Sequence, residues 1–320
     1  MIMKMLMNKA KLMLVVFSLL VATVLSTSWA SRVEAQEAGS KEKPLRVILI
    51  PADGGTEDGT KADFQPVFNA ITKTTGLHFD IRVANTYGAA VEAMCNRVAD
   101  IAFFGAVTYL QARSRGCAEL LAVTVEKNES VYYSGMFVSA NSSIKSIKDI
   151  KGKRVAFGDA NSTSSFVYPV AMILDGGINP SSDLGAVLIT GSHVNSLKAL
   201  QEGHADVAFA SFDSYEKAVK QGAIDSAKVK IAIKSEPIPN PPLAMHPELS
   251  KKLKDKLRDA FNNVHNAPGI TPEMIRGYGG KKVDRYNANL SESIMLSAGK
   301  KLELVNDTIR GEILKKAAKR

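Results

Sequence analysis

The sequence predicts an α/β protein built as two lobes around a ligand cleft. Three observations point there. Short β-branched or apolar runs alternate with helical stretches along residues 45–138, the pattern of a mostly parallel sheet covered by helices. The same alternation restarts after a loop at 140–143. A Pro-rich crossing at 236–242 then leads into a mostly helical stretch, as expected of a chain returning to its first lobe. The expected organisation is an export signal at 1–35, a first lobe from 36–137 and 239–320, and a second lobe at 138–238. Two crossings join the lobes. Ligands in such sheets bind at the carboxyl ends of strands and between lobes.

Each element has its own signal. Leu45-Arg46-Val47-Ile48-Leu49-Ile50 is a β-branched run that ends in a Gly-rich loop at 53–59. A helix follows at 64–74, a strand at 78–83, a helix at 87–98 and a buried strand at 100–104. Next come a helix at 107–115 and strands at 120–125 and 136–138. In the second half, a short helix at 147–150 precedes a strand at 155–157, the run Ser162-Thr163-Ser164-Ser165 and a buried helix at 166–174. A strand at 186–189, a helix at 196–202 and strands at 206–210 and 229–233 complete that lobe. Helices are expected at 247–264, at 271–277 and from 291 onward.

The N-terminus carries Lys4, Lys9 and Lys11 before an uncharged apolar run at 12–25. Small-residue cleavage sites follow, ending at Ala30 and Ala35. That is the layout of a secretory signal, too short in its apolar core to span a bilayer, and the cut is placed after Ala35 with Ala30 as the alternative. The chain carries +9; residues 1–35 hold four basic and one acidic side chain, so about +6 remains after cleavage. The basic residues are scattered, with no arginine stripe interleaved with aromatics, which excludes nucleic acid as the expected partner. Cys95 and Cys117 fall late in successive helices, with a strand between them, and an oxidising compartment would let them pair. His78, His204, His246 and His265 are too scattered for a metal site, and neither metal nor cofactor is expected.

Three consecutive hydroxyls at 162–164 stand where a helix begins, beside unpaired backbone N–H groups and the positive end of the helix dipole. One hydroxyl would be an ordinary cap. Three suit an anion held by neutral hydrogen bonds. Asp53, Tyr109, His193, Asp213 and Asn240 also fall just after strand ends, where a cleft ligand would sit.

Several segments carry a resemblance: Tyr87-Gly88-Ala89-Ala90-Val91-Glu92, Ile101-Ala102-Phe103-Phe104-Gly105, Tyr132-Tyr133-Ser134, Ser162-Thr163-Ser164 and Gly191-Ser192-His193. The chain resembles the PhnD-like family of phosphonate, phosphite and phosphate receptors of ABC importers. The resemblance implies the type II periplasmic binding protein fold, a periplasmic location, membrane permease subunits as partners, and a monomer. It also implies that Ser162, Thr163 and Ser164 grasp phosphoryl oxygens and that His193 donates to one, more strongly when protonated. Tyr87 and Tyr133 would close the pocket. Asp213 would accept from a P–OH or amino group, and Asn240 falls where the family often has an acid. Tyr132 and Tyr133 are adjacent, so only one of them can face the cleft.

Departures from the family pattern are Ala106 for a proline, Ser165 for a glycine and Val194 for an aspartate. Asn240 tilts the expected ligand towards phosphate, phosphite or methylphosphonate. Two other functions stay open on sequence: a receptor for another solute, such as a sulfonate or vitamin precursor, and a hydrolase using Ser162 or Ser164 with His193. No nucleophile elbow, zinc-protease motif or P-loop supports the second.

Overall fold

The computed structural model describes residues 38–52 and 57–319. The expected export signal and Asp53 lie outside the described residues. The first sheet holds Leu45–Leu49 (β1), Phe79–Val83 (β2), Ile101–Phe103 (β3), Glu119–Val125 (β4), Pro242–Met245 (β12) and Arg285–Asn287 (β13), in the order β13-β4-β12-β3-β1-β2. The second holds Ser134–Ser139 (β6), Arg154–Phe157 (β7), Ala186–Ile189 (β8), Val207–Ser211 (β9) and Val229–Lys234 (β10), in the order β10-β6-β9-β7-β8. Val131–Tyr132 (β5) and Ile238–Pro239 (β11) form a separate antiparallel ribbon where the chain passes between the sheets.

The two sheets repeat one plan. β2-β1-β3 and β8-β7-β9 are parallel, and in each sheet the next two strands run antiparallel: β12 and β4 in the first, β6 and β10 in the second. Each plan contains the same ion pair. Arg46 in β1 forks onto Asp100 at 2.7 and 2.9 Å, and Arg154 in β7 forks onto Asp206 at 2.7 and 3.2 Å.

The sheets are therefore mixed, where the sequence suggested mostly parallel ones. Four short strands, β5, β11, β12 and β13, were not expected; β12 matters most, because its four residues led by a proline carry no alternation, yet they lie between β3 and β4 in the first sheet. Only one short turn, Pro272–Met274, forms within the helix expected at 271–277.

Helices follow the strands: Glu57–Thr75 (α1), Tyr87–Cys95 (α2) and Ala106–Ser114 (α3) in the first lobe, then Tyr168–Asp175 (α4), His193–Gln201 (α5) and Phe212–Lys220 (α6) in the second. Lys251–Asn263 (α7) buries Leu253, Leu257, Ala260 and Phe261 at helical spacing against the first core. Leu296–Leu304 (α8) and Asp307–Ala317 (α9) end the chain.

Lobe membership differs from the expected boundaries at two places. Ser134 to Phe137 pair with β9, so they belong to the second sheet. Met295 and Ala298 join the first core, whereas Val305 and Ile313 are fully buried in the second. The C-terminus thus crosses back, adding a helical connection to the two extended ones. Cys95 at the end of α2 and Cys117 after α3 are joined as a disulfide, with Cα atoms 4.8 Å apart.

Candidate functional site

Helix starts converge between the lobes, and the local sequence explains each. Thr86, Ser192 and Ser211 cap α2, α5 and α6, their side chains accepting the N–H of Ala89, Asn195 and Ser214 at 3.1, 3.2 and 3.1 Å. Ser162 does the same for Ser165 at 3.1 Å. From it the chain makes one wide turn: Val167 N–H donates to Ser162 O five residues back at 3.0 Å, and only then does α4 begin. Such turns recur at functional sites. This one brings Ser162, Thr163, Ser164 and Ser165, all buried, into one short stretch.

The opposite lobe completes the wall. α3 starts at Gly105 with no cap of its own. Thr163 Oγ1 supplies one from across the cleft, accepting Val107 N–H at 3.0 Å. Gly105 is needed for this approach, because a Cβ there would lie 2.9 Å from that oxygen. Asp159 Oδ2 likewise accepts Tyr87 N–H, the first amide of α2, at 3.3 Å. Burial raises the Asp159 carboxyl above its ordinary value, with hydrogen bonds from Asn161 and Tyr87 opposing. Asn161 accepts from Gln111 at 3.2 Å, and His193 N–H reaches Ala52 O at 3.4 Å. The lobes are closed on each other.

His193 is buried, and its Nδ1 accepts Ser211 N–H at 2.9 Å. This assigns the ring proton to Nε2 and makes the neutral ring a donor there. A second proton on Nδ1 would have to displace the Ser211 bond.

Of the two adjacent tyrosines, Tyr132 is the one turned to the hydroxyl run. Burial drives its phenol well above the usual value, while hydrogen bonds with Ser164 and Thr163 act the other way. Tyr133, the one expected to close the pocket, instead lies under Lys234, whose Nζ sits 3.4 Å from its ring centre. Tyr87 is buried at the start of α2. Asp213 lies in the first turn of α6, with Lys281 Nζ at 3.1 Å. Asn240 sits beside the hinge ribbon, donating from its side chain to Thr124 O at 3.0 Å. Tyr109, also singled out in the sequence, bonds Glu292 at 2.6 Å from its hydroxyl.

Tyr278 was missed. Its ring packs 5.8 Å from that of Tyr132 and 6.2 Å from those of Phe103 and His193, and its hydroxyl pairs with Ser214 Oγ at 3.1 Å. The adjoining Gly-Gly was the one available signal, since it forces a turn. Among the described residues no acid, His or Cys cluster suits a metal, and no helix is long and apolar enough to cross a membrane.

A two-lobed α/β receptor with hydroxyls and helix amides turned into a closed cleft is the class this geometry defines. Residues 55–283 match the family described as "ABC transporter, phosphonate, periplasmic substrate-binding protein", and the chain belongs to that family. It is 28% identical over 257 residues to the phosphate-import protein PhnD of Mycolicibacterium smegmatis, covering 77% of this chain and 79% of that one. It is 29% identical over 242 residues to the phosphonates-binding periplasmic protein of Escherichia coli, covering 74% and 69%. The structure of PhnD1 from Prochlorococcus marinus in complex with methylphosphonate shares the fold: TM-score 0.69, 18% identity, 81% of this chain and 98% of that one. These relatives are transporter substrate-binding proteins.

Proposed function

We propose that the protein captures a small phosphorus oxyanion between its lobes and hands it to the permease of an ABC importer, without chemical change. The observation that carries this reading is the donor set. The Ser162–Ser164 hydroxyls stand at a helix start, and the buried His193 ring, whose Nδ1 accepts Ser211 N–H, carries its proton on Nε2 in the neutral form. Tetrahedral oxyanions are matched by several neutral donors and a helix dipole. Ser162, Thr163, Ser164 and His193 would contact phosphoryl oxygens, with Tyr87, Tyr132 and Asp213 around them. Three adjacent hydroxyls, two of them committed to capping bonds, suit holding an anion better than activating one nucleophile.

The methylphosphonate-bound neighbour and the phosphate-import relative bear on the ligand class, and both are consistent with it. Residues 1–35 would be removed on export, the protein would act as a monomer in the periplasm, and mass spectrometry of the exported chain should find Gln36 first. The direct test is calorimetry and thermal melting of the purified protein with phosphate, phosphite, methylphosphonate, sulfate and taurine. A ligand at about a hundred times its Kd adds about 2.7 kcal/mol of stability. Stabilisation by phosphorus oxyanions alone supports the reading; binding only of taurine or sulfate refutes it.

A further inference from the structure

We propose that the turn Tyr278–Lys281 is the specificity element of the cleft, and that it restricts the cargo to small phosphorus oxyanions lacking an amino group. The inference rests on the oxyanion reading above and narrows it.

The turn grips the first turns of α6 from across the cleft. Tyr278 pairs with Ser214 at 3.1 Å, and Lys281 with Asp213 at 3.1 Å. Asp63, which packs against the same turn, takes Lys217 at 2.6 Å. Positions 213, 214 and 217 are spaced by three and four residues and so share one face of α6, which lets the three contacts act together. The turn is shaped for this position. Gly279 and Gly280 have φ of 65° and 71°, and a Cβ on Gly280 would fall 2.2 Å from Asp63 Oδ1. Any side chain there would force the turn away from α1.

Two consequences bear on the ligand. The first is volume: the Tyr278 ring stands 6.2 Å from that of His193 and 5.8 Å from that of Tyr132, and so takes up room beside the expected phosphoryl contacts that a larger substituent would need. The second is charge. An ammonium tail needs a carboxylate whose charge the protein has not already balanced. Asp213 is met by Lys281, which also binds Glu126 at 2.7 Å. The adjoining pocket of about 530 Å³ is lined by five basic side chains against three carboxylates, and even with Glu126 and Glu273, which pair with Lys281 and Lys282, counted, the acidic groups are matched one for one by basic ones. Asn240 adds no charge, and one of its side-chain N–H groups donates to Thr124 O. A cationic end on the ligand would therefore meet carboxylates whose charge is already matched, and would gain little from them.

The experiment is calorimetry of the wild type, Tyr278→Ala, Tyr278→Phe and Lys281→Met against phosphate, phosphite, methylphosphonate and 2-aminoethylphosphonate. The wild type should prefer its best simple oxyanion over 2-aminoethylphosphonate by about tenfold or more. Lys281→Met, which leaves the Asp213 charge without its lysine, should shift that ratio towards the amino compound. Tyr278→Ala should narrow it as well, and Tyr278→Phe, which keeps the ring and secures the test if the alanine variant does not fold, should leave it high. A wild type that binds 2-aminoethylphosphonate as tightly as the others overturns the proposal but leaves the receptor reading intact. So does a ratio that neither Lys281→Met nor Tyr278→Ala moves. Failure of the wild type to bind any of the four overturns the reading beneath it.

Discussion

Two side chains set testable expectations at the scale of single residues. His193 has one nitrogen committed to Ser211 and the other placed to donate. His193→Ala should weaken oxyanion binding by about 1–3 kcal/mol, roughly five- to 150-fold in Kd by calorimetry. Unchanged affinity would remove it from the site. Ser165 is the reverse case. Its hydroxyl is buried with no hydrogen-bond partner among the described residues, packed over Gly158, where a Cβ would lie 2.2 Å from Ser165 Oγ. An unmade buried hydrogen bond costs about 1–3 kcal/mol, so Ser165→Ala should raise the denaturation midpoint without loss of binding. A lower midpoint would show that the hydroxyl does have a partner. The hydroxyl run was legible in the sequence because Ser and Thr in series before an apolar helix leave few other readings. Which of Tyr132 and Tyr133 faces it was not legible. That choice depends on the strand's rotation, and a two-residue strand carries no alternation to reveal it.

Elements show why the fold was read better than its boundaries. β1 to β4 and β7 to β9 are apolar runs bounded by turn residues, and all seven were anticipated. α6 was not, although Ser211, the last residue of β9, is also its cap: no element was expected at residues 212–220. β12 was missed because its identity is fixed by neighbours distant in sequence. The repeated Arg–Asp fork is another long-range feature, and it makes a pH prediction. Hydrogen bonding from Arg154 holds the Asp206 carboxyl below its ordinary value. A carboxyl depressed in the folded state contributes stability that is present above its unfolded pKa, about 3.9, and is lost as pH falls through the lower folded value. Asp206→Asn should therefore lower the denaturation midpoint at neutral pH and narrow the gap to wild type below about pH 4. A difference that stays constant from pH 7 to pH 3 would mean that packing, not charge, is what Asp206 contributes.

The whole molecule is held shut by bonds that the sequence could not disclose, because each joins residues of different lobes. Thr163 and Asp159 take up the free amides at the starts of α3 and α2, and Asn161 receives Gln111. Opening would return these groups to water, so the closed form draws on contacts of its own before any ligand contributes. A ligand then has a smaller population shift to drive. The range of opening is also limited: besides the β5–β11 ribbon, the C-terminal helices tie the lobes, with Ala298 in one core and Val305 and Ile313 in the other. The Lys217–Asp63 pair isolates the closing term, since it is 2.6 Å long, has only 19% of each side chain exposed, and engages none of the expected phosphoryl contacts. A half-buried pair of this kind contributes on the order of 1 kcal/mol to the closed state. Lys217→Ala should thus raise the Kd for the oxyanion about fivefold while enlarging the radius of gyration of the ligand-free protein in X-ray scattering. The saturated protein should scatter like wild type, because bound ligand restores closure. Asp63→Ala should act in the same direction, and the double variant should fall short of the sum of the two single ones, as expected when they share a cross-lobe bond. If affinity falls with no change in scattering, the pair acts through the cleft and not through closure, and the account of a receptor poised to shut on its own contacts would have to be abandoned.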